Sequence, residues 1–358
     1  MRRLRNPFAA LLVAGLASAA AGQTRNAFEV GSARAAAGQK AVGILAVPAG
    51  VDAALDIPVA VVHGARPGPV LALVAGAHGT EYASIIALEK LIEKLEPGEI
   101  SGTVIVVPLV NIASFEQKVP HVNPVDGKSM NRFYPGKPDG TQTERALYAI
   151  TKQIVERCDY LIDFHGGDLD ESLVPYSYWL KTGDEKLDAT SRRMVLAFGL
   201  PMILIATDRP KDPAASRYLD STGTTRGKPT ITVEAGHAGT VEAGDVSALV
   251  EGTLSVMRAL GMAAGEATPV EHPVWIESVQ TVKSEKTGIF YPLVRRGTYV
   301  AEGARLGYVS DYLGRKVFDA RSPAAGVVLY VCSVPSMKSG ETIANVGVVA
   351  SGAPPAAK

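Results

Sequence analysis

GPVLALVAGAHGTEYASIIALEKLIEKLEPG, residues 68–98, decides the fold. Residues 68–77 form a nearly continuous apolar run, as expected of a strand covered on both faces. From Ala83 the apolar positions recur at helical spacing until Pro97-Gly98 stops them. A second apolar run, GTVIVVPLVN (102–111), follows at once. The unit therefore reads strand, helix, strand. Its first junction places His78 and Glu81 three positions apart, with Gly76 and Gly79 flanking the histidine.

The same texture continues outward. TERALYAITKQIVER (143–157) reads as a helix, and CDYLIDFH (158–165), LPMILIAT (200–207) and KPTITVEAG (228–236) read as strands. A last helix is expected over roughly 242–262. Buried strands alternating with helices predict an α/β domain with a mostly parallel or mixed sheet, spanning residues 22–265. Around 262–273 the pattern breaks into a linker, GMAAGEATPVEHP. Short alternating segments separated by glycine follow, among them GIFYPLV, EGARLGYVSD and AAGVVLYVCS. They predict a small all-β module over 266–352.

The chain has 358 residues, 47 % of them hydrophobic, with 36 basic and 36 acidic side chains. That balance supplies a large core and no charge excess for nucleic acid or an anionic membrane surface. Arg2, Arg3 and Arg5, an apolar stretch from Phe8 to Ala17 and the triplet Ala19-Ala20-Ala21 have the form of a secretory signal over residues 1–21. The stretch is shorter than the roughly 20 residues that span a bilayer. An exported protein is expected, periplasmic in a Gram-negative cell, with no membrane anchor once the signal is removed. Cys158 and Cys332 fall in different predicted domains and are expected as buried free thiols.

Ligand-binding residues of such sheets gather beyond the carboxyl ends of strands. His78, Asn111, His165 and Glu234 all sit there. Two imidazoles and a carboxylate can hold one zinc ion and leave a position for water, so His78, Glu81 and His165 form a candidate metal set. Glu234, before Ala235-Gly236, is the candidate general acid/base. Asp163 shares a strand face with His165, where it fits equally as an orienting acceptor for the ring or as a member of a structural salt bridge. His63, His237 and His272 show no partner spacing.

HVNPVDGKSMNRFYPG (121–136) has neither strand nor helix period, and a long ordered loop within a compact domain is often functional. Asn131 and Arg132 are its candidates for a substrate carboxylate, which a guanidinium grips with two parallel hydrogen bonds. Spacing alone favours a solvated loop arginine.

GAHGTE, NRFYPG, DFHGG and VEAG, in that order, resemble the succinylglutamate desuccinylase/aspartoacylase family of the zinc carboxypeptidase superfamily. The resemblance implies a zinc-carboxypeptidase-like α/β/α domain with one zinc ion on His78, Glu81 and His165. It also implies a general acid/base at Glu234 and substrate contacts from Asn131 and Arg132. Relatives often carry an arginine ahead of the Pro-x-Asp-Gly turn, where it stabilises the oxyanion; the position here is His121. Either His121 assumes part of that role or Arg209, Arg217 or Arg226 reaches in. The C-terminal module resembles the barrel that follows this catalytic domain, itself similar to biotinyl and lipoyl carriers. Met337-Lys338 lies near the chain end rather than in a central hairpin, so the module is expected to shape the active-site mouth. The implied activity is hydrolysis of an amide bond in an N-acyl amino acid or similar small carboxylate-bearing substrate. Rival readings are an exported carboxypeptidase or amidopeptidase on cell-wall peptides and a zinc-containing ligand-binding protein without turnover.

Overall fold

A computed structural model describes residues 25–354. The expected signal over 1–21 lies outside the described residues. Among these, no helix is long and apolar enough to cross a membrane.

One sheet of thirteen strands organises the molecule. Its central run, in spatial order, is Met202–Ala206, Tyr176–Leu180, Thr230–Glu234, Tyr160–His165, Arg66–Ala75, Ser101–Val107, Leu55–His63 and Gln39–Val47. The strands from Thr230–Glu234 to Ser101–Val107 are parallel neighbours. Tyr176–Leu180 and the Leu55–His63/Gln39–Val47 pair enter antiparallel, so the sheet is mixed.

Helices cover both faces. Tyr82–Lys94, Glu185–Phe198 and Ala243–Ala259 bury Leu88, Leu91, Met194, Phe198 and Leu249 against one face of the sheet. Gln142–Gln153 and Leu219–Thr224 bury Leu147, Ile150 and Leu219 against the other. Fully burying side chains of this size contributes about 1.5–3 kcal/mol each, which makes the layers the main source of stability. Gln142–Gln153 starts with a capping box between Thr141 and Glu144, which satisfies donors that a helix start otherwise leaves unpaired.

The expected helix over 83–98 ends at Lys94, and a short 3₁₀ turn, Pro97–Glu99, carries the chain into the next strand. The expected helix over 143–157 likewise divides after Gln153. Pro97 ends the first, whereas Ile154 and Val155 keep the second tail buried in the core as a 3₁₀ turn.

The C-terminal residues form strands throughout. The long strand Val274–Lys283 pairs in parallel with Met202–Ala206 through its first residues and antiparallel with Thr342–Val349 along the rest. Thr342–Val349 then pairs with Gly326–Cys332, which receives the short strand Glu171–Leu173 from the α/β part. A separate four-stranded sheet contains the hairpin Arg305–Ser310/Lys316–Arg321. Its turn, Asp311–Arg315, contains no lysine, and Lys338 lies beyond another short strand, Ser336–Met337. Cys158 and Cys332 are buried free thiols in different cores. Burial pushes the Cys158 thiol up to about 12.

Candidate active site

Strand register builds half of the site. Glu234 lies directly beside His165 on one neighbouring strand and beside Tyr176 on the other. Two residues back, Thr232 lies between Asp163 and Tyr178 in the same way. Side chains alternate along a strand, so these two rows share one face of the sheet. Phe164 and Val233, between the rows, point into the opposite core.

The strand Arg66–Ala75, next to the His165 strand, delivers the other metal candidates. The chain leaves it through Gly76 at φ 72°, where a Cβ would stand 2.8 Å from the Leu109 side chain. Only glycine adopts that backbone without strain and also fits that space. Glu81 is the first flanking residue of helix Tyr82–Lys94, yet its side chain caps no helix N–H. It turns back to the histidines instead: His78 Nδ1 stands 2.7 Å from one carboxylate oxygen and His165 Nδ1 2.9 Å from the other. The three ligand atoms lie within 4.8 Å of one another. Glu81 and His165 are buried, and His78 is partly exposed to the cavity.

Charge follows from that packing. Burial alone would raise the Glu81 carboxyl, but His165 and His78 outweigh it and hold the group well below the carboxylate range. Burial alone would lower His165, but Asp163 and Glu81 outweigh it and hold the imidazole protonated. Asp163 Oδ1 stands 3.3 Å from His165 Nε2, which keeps a proton on that nitrogen and directs Nδ1 towards Glu81. Burial raises Glu234 well above the carboxylate range, and Glu81, Glu171 and Asp163 add to the rise while His165 opposes it. Glu171 is pushed up to about 7 by burial and by the charge of Glu81. Two Nδ1 atoms and a carboxylate converging on one point, amid this acidic density, fit the donor set of a divalent ion such as zinc. An ion there would take the place of the His165 Nδ1 proton and would lower the neighbouring carboxyls.

These groups open into a cavity of about 470 Å³. Asn131 reaches it with Nδ2 3.2 Å from His165 Nε2, while its Oδ1 is buried without a hydrogen-bond partner. Arg132 also lines the cavity, with its guanidinium 5.1 Å from the Tyr218 ring centre. Arg209 lines it too, donates to Asp220 at 2.8 Å and lies 4.7 Å from the same ring. Among the three arginines left open by the sequence, Arg209 is therefore the one on the cavity wall. Arg217 lies over Tyr218 without lining the cavity, and Arg226 turns away to the Thr222 and Pro213 carbonyls. Asn111 is also elsewhere: it caps a short helix and donates to the Ala77 carbonyl.

His121 lines the cavity in a left-handed backbone conformation, φ 63°. Its Nε2 stands 3.0 Å from Asp170 and its Nδ1 3.2 Å from Asp168. Both nitrogens face carboxylates, an arrangement that only the doubly protonated ring satisfies. The Asp170 hydrogen bond, helped by the Asp168 and Glu171 charges and opposed by burial, pushes the imidazole up to about 9. The position thus carries a charged imidazole whose N–H groups both face carboxylates.

The sequence reading missed Glu171, Tyr176, Tyr178, Tyr218 and Asp220, as well as Tyr330 and Asn345 from the C-terminal strands, all on the cavity wall. Tyr218, with three arginines over its ring, had no motif around it. The tyrosines of YSYWL (176–180) alternate on one face, which was the available signal.

Residues 67–260 match the model of the succinylglutamate desuccinylase/aspartoacylase catalytic domain. The chain is 28 % identical over 317 residues to the N-alpha-acetyl-L-2,4-diaminobutyric acid deacetylase of Halomonas elongata, covering 86 % of this chain and 91 % of that protein. It is 26 % identical to the product-bound structure of the ectoine utilization protein EutE (DoeB) of Ruegeria pomeroyi, with a TM-score of 0.79 over 90 % of this chain and 96 % of that one. A succinylglutamate desuccinylase structure from a Silicibacter species, 24 % identical, shares the fold with a TM-score of 0.79 over 87 % of this chain and 95 % of that one. The chain belongs to the succinylglutamate desuccinylase/aspartoacylase family.

Proposed function

We propose that this protein is a zinc-dependent deacylase that hydrolyses the amide bond of a small N-acylated amino acid. One observation carries the reading: both oxygens of Glu81 face an imidazole Nδ1, and the neighbouring carboxyl, Glu234, lies directly beside His165 in the sheet. Zinc held by His78, Glu81 and His165 supplies Lewis acidity to the scissile carbonyl and to the attacking water.

The chain's own groups do the rest. Glu234 accepts a proton from water as its oxygen adds to the carbonyl carbon. It returns that proton to the amine nitrogen as the C–N bond breaks, leaving a carboxylate and an amine. Asp163 fixes the His165 ring through Nε2. Arg132 and Asn131 face the substrate carboxylate. His121 adds a fixed positive charge near the developing oxyanion, a long-range contribution because both its N–H groups are occupied. The deacetylase named for the relative in Halomonas elongata supports a small acyl amino acid as substrate. On the signal reading of residues 1–21, the reaction takes place outside the cytoplasm.

The test is metal analysis of the purified protein, then a hydrolysis screen over N-acetyl and N-succinyl amino acids and muropeptides. Turnover of an acyl amino acid, lost on chelation and restored by Zn²⁺, is expected. Turnover of muropeptides alone would replace the deacylase reading with a peptidase. Stoichiometric zinc without any turnover would leave a binding protein.

A further inference from the structure

A second cluster of ligating side chains lies just past the Glu234 strand. His237, Glu242 and Asp245 bring one ligand atom each within 4.8 Å of the others. His237 Nε2 stands 2.8 Å from Glu242 Oε1. Glu242 and Asp245 occupy the start of the 17-residue helix Ala243–Ala259, where acidic side chains ordinarily cap free N–H groups. Here no side-chain cap forms. Asp245 is only 8 % exposed, and its Oδ2 is buried with no hydrogen-bond partner. An unpartnered buried carboxylate oxygen is costly, so native proteins seldom leave one without an ion or water. Arg296 stands 4.0 Å from Glu242 Oε2 and gives its short hydrogen bond to the Leu173 carbonyl instead.

We propose that His237, Glu242 and Asp245 bind a second divalent cation, of the first-row transition class that accepts mixed imidazole and carboxylate donors. Its role is structural. The ion ties the turn after Glu234 to the start of the following helix. That turn also supports the cavity: the Ala238 N–H donates to the Glu171 carbonyl at 2.7 Å, and the Gly167 N–H donates to the Gly236 carbonyl at 2.9 Å. The inference does not depend on the deacylase reading, because it concerns different ligands.

The test uses the full chain, stripped with a chelator and titrated with Zn²⁺ by calorimetry, with bound metal counted by elemental analysis. Wild type is expected to bind two ions per chain. His165→Ala and Asp245→Asn are each expected to bind one, and the double variant none. Addition of Zn²⁺ should raise the melting temperature of His165→Ala but not that of the double variant. If Asp245→Asn fails to melt cooperatively, His237→Gln and Glu242→Gln, at more exposed positions, replace it. Wild type binding a single ion that His165→Ala loses overturns the second site. Two ions retained in Asp245→Asn or in both replacement variants also overturn it. Loss of binding in His165→Ala alone tests the first site separately.

Discussion

The two halves of the cavity are built by different means. His165, Asp163 and Glu234 stand in register on adjacent parallel strands, and His78 and Glu81 follow one tight turn off the next strand. Their positions are set by backbone hydrogen bonds. Arg132, Arg209 and His121 arrive on loops, and they are positioned by side chains: Tyr218 under two of them, Asp168 and Asp170 around the third. The contrast teaches a division of labour. On the deacylase reading, the reacting groups belong to the strand-built part of the fold and the substrate contacts to the loop-built part, which substitution can retune.

That contrast can be broken first at its rigid side. His165→Ala should lose the metal held with His78 and Glu81, and turnover should fall by a factor on the order of 1,000 or more, since Lewis acidity supplies several kcal/mol. Elemental analysis beside a rate assay measures both; full metal at that site with full rate would refute the ligand set. Glu234→Gln should keep that metal and lose about a hundredfold or more in kcat, the range of acid–base contributions. An unchanged kcat would remove Glu234 from proton transfer.

The loop side should respond in KM. Arg132→Ala removes a charged hydrogen-bond donor worth about 1.5–3 kcal/mol, so KM should rise roughly 10- to 150-fold with kcat nearly unchanged. A fall in kcat alone would place Arg132 at the transition state instead. The smallest effect concerns pH. His121 carries its charge below about 9 and loses it above. The alkaline limb of kcat/KM should therefore include a step near that value, and His121→Arg, which stays charged, should lose it. A limb unmoved in the variant would assign the step to another group.

The same contrast explains what the sequence disclosed. Strands such as YLIDFH and TITVE carry polar residues at the end of an apolar run, where burial makes them conspicuous. Their convergence follows from parallel packing, so the zinc candidates could be named before any coordinates. Tyr218 caps a helix of only six residues, Asp220 lies in its first turn, and Asn345 comes from a strand more than a hundred residues from Glu234. Their approach to the cavity depends on tertiary pairing that no local pattern encodes. Tyr176–Leu180 was missed because its antiparallel entry breaks the alternation of strand and helix that guided the reading.

The strand Val274–Lys283 has a practical consequence. Because it is hydrogen-bonded to Met202–Ala206 on one side and to Thr342–Val349 on the other, the chain cannot be trimmed to its hydrolytic portion without stripping a partner from a sheet margin. A fragment ending near residue 260 would leave one edge of Met202–Ala206 unpaired, a template for self-association. Expression of such a fragment should yield aggregates, whatever the quality of its remaining interior.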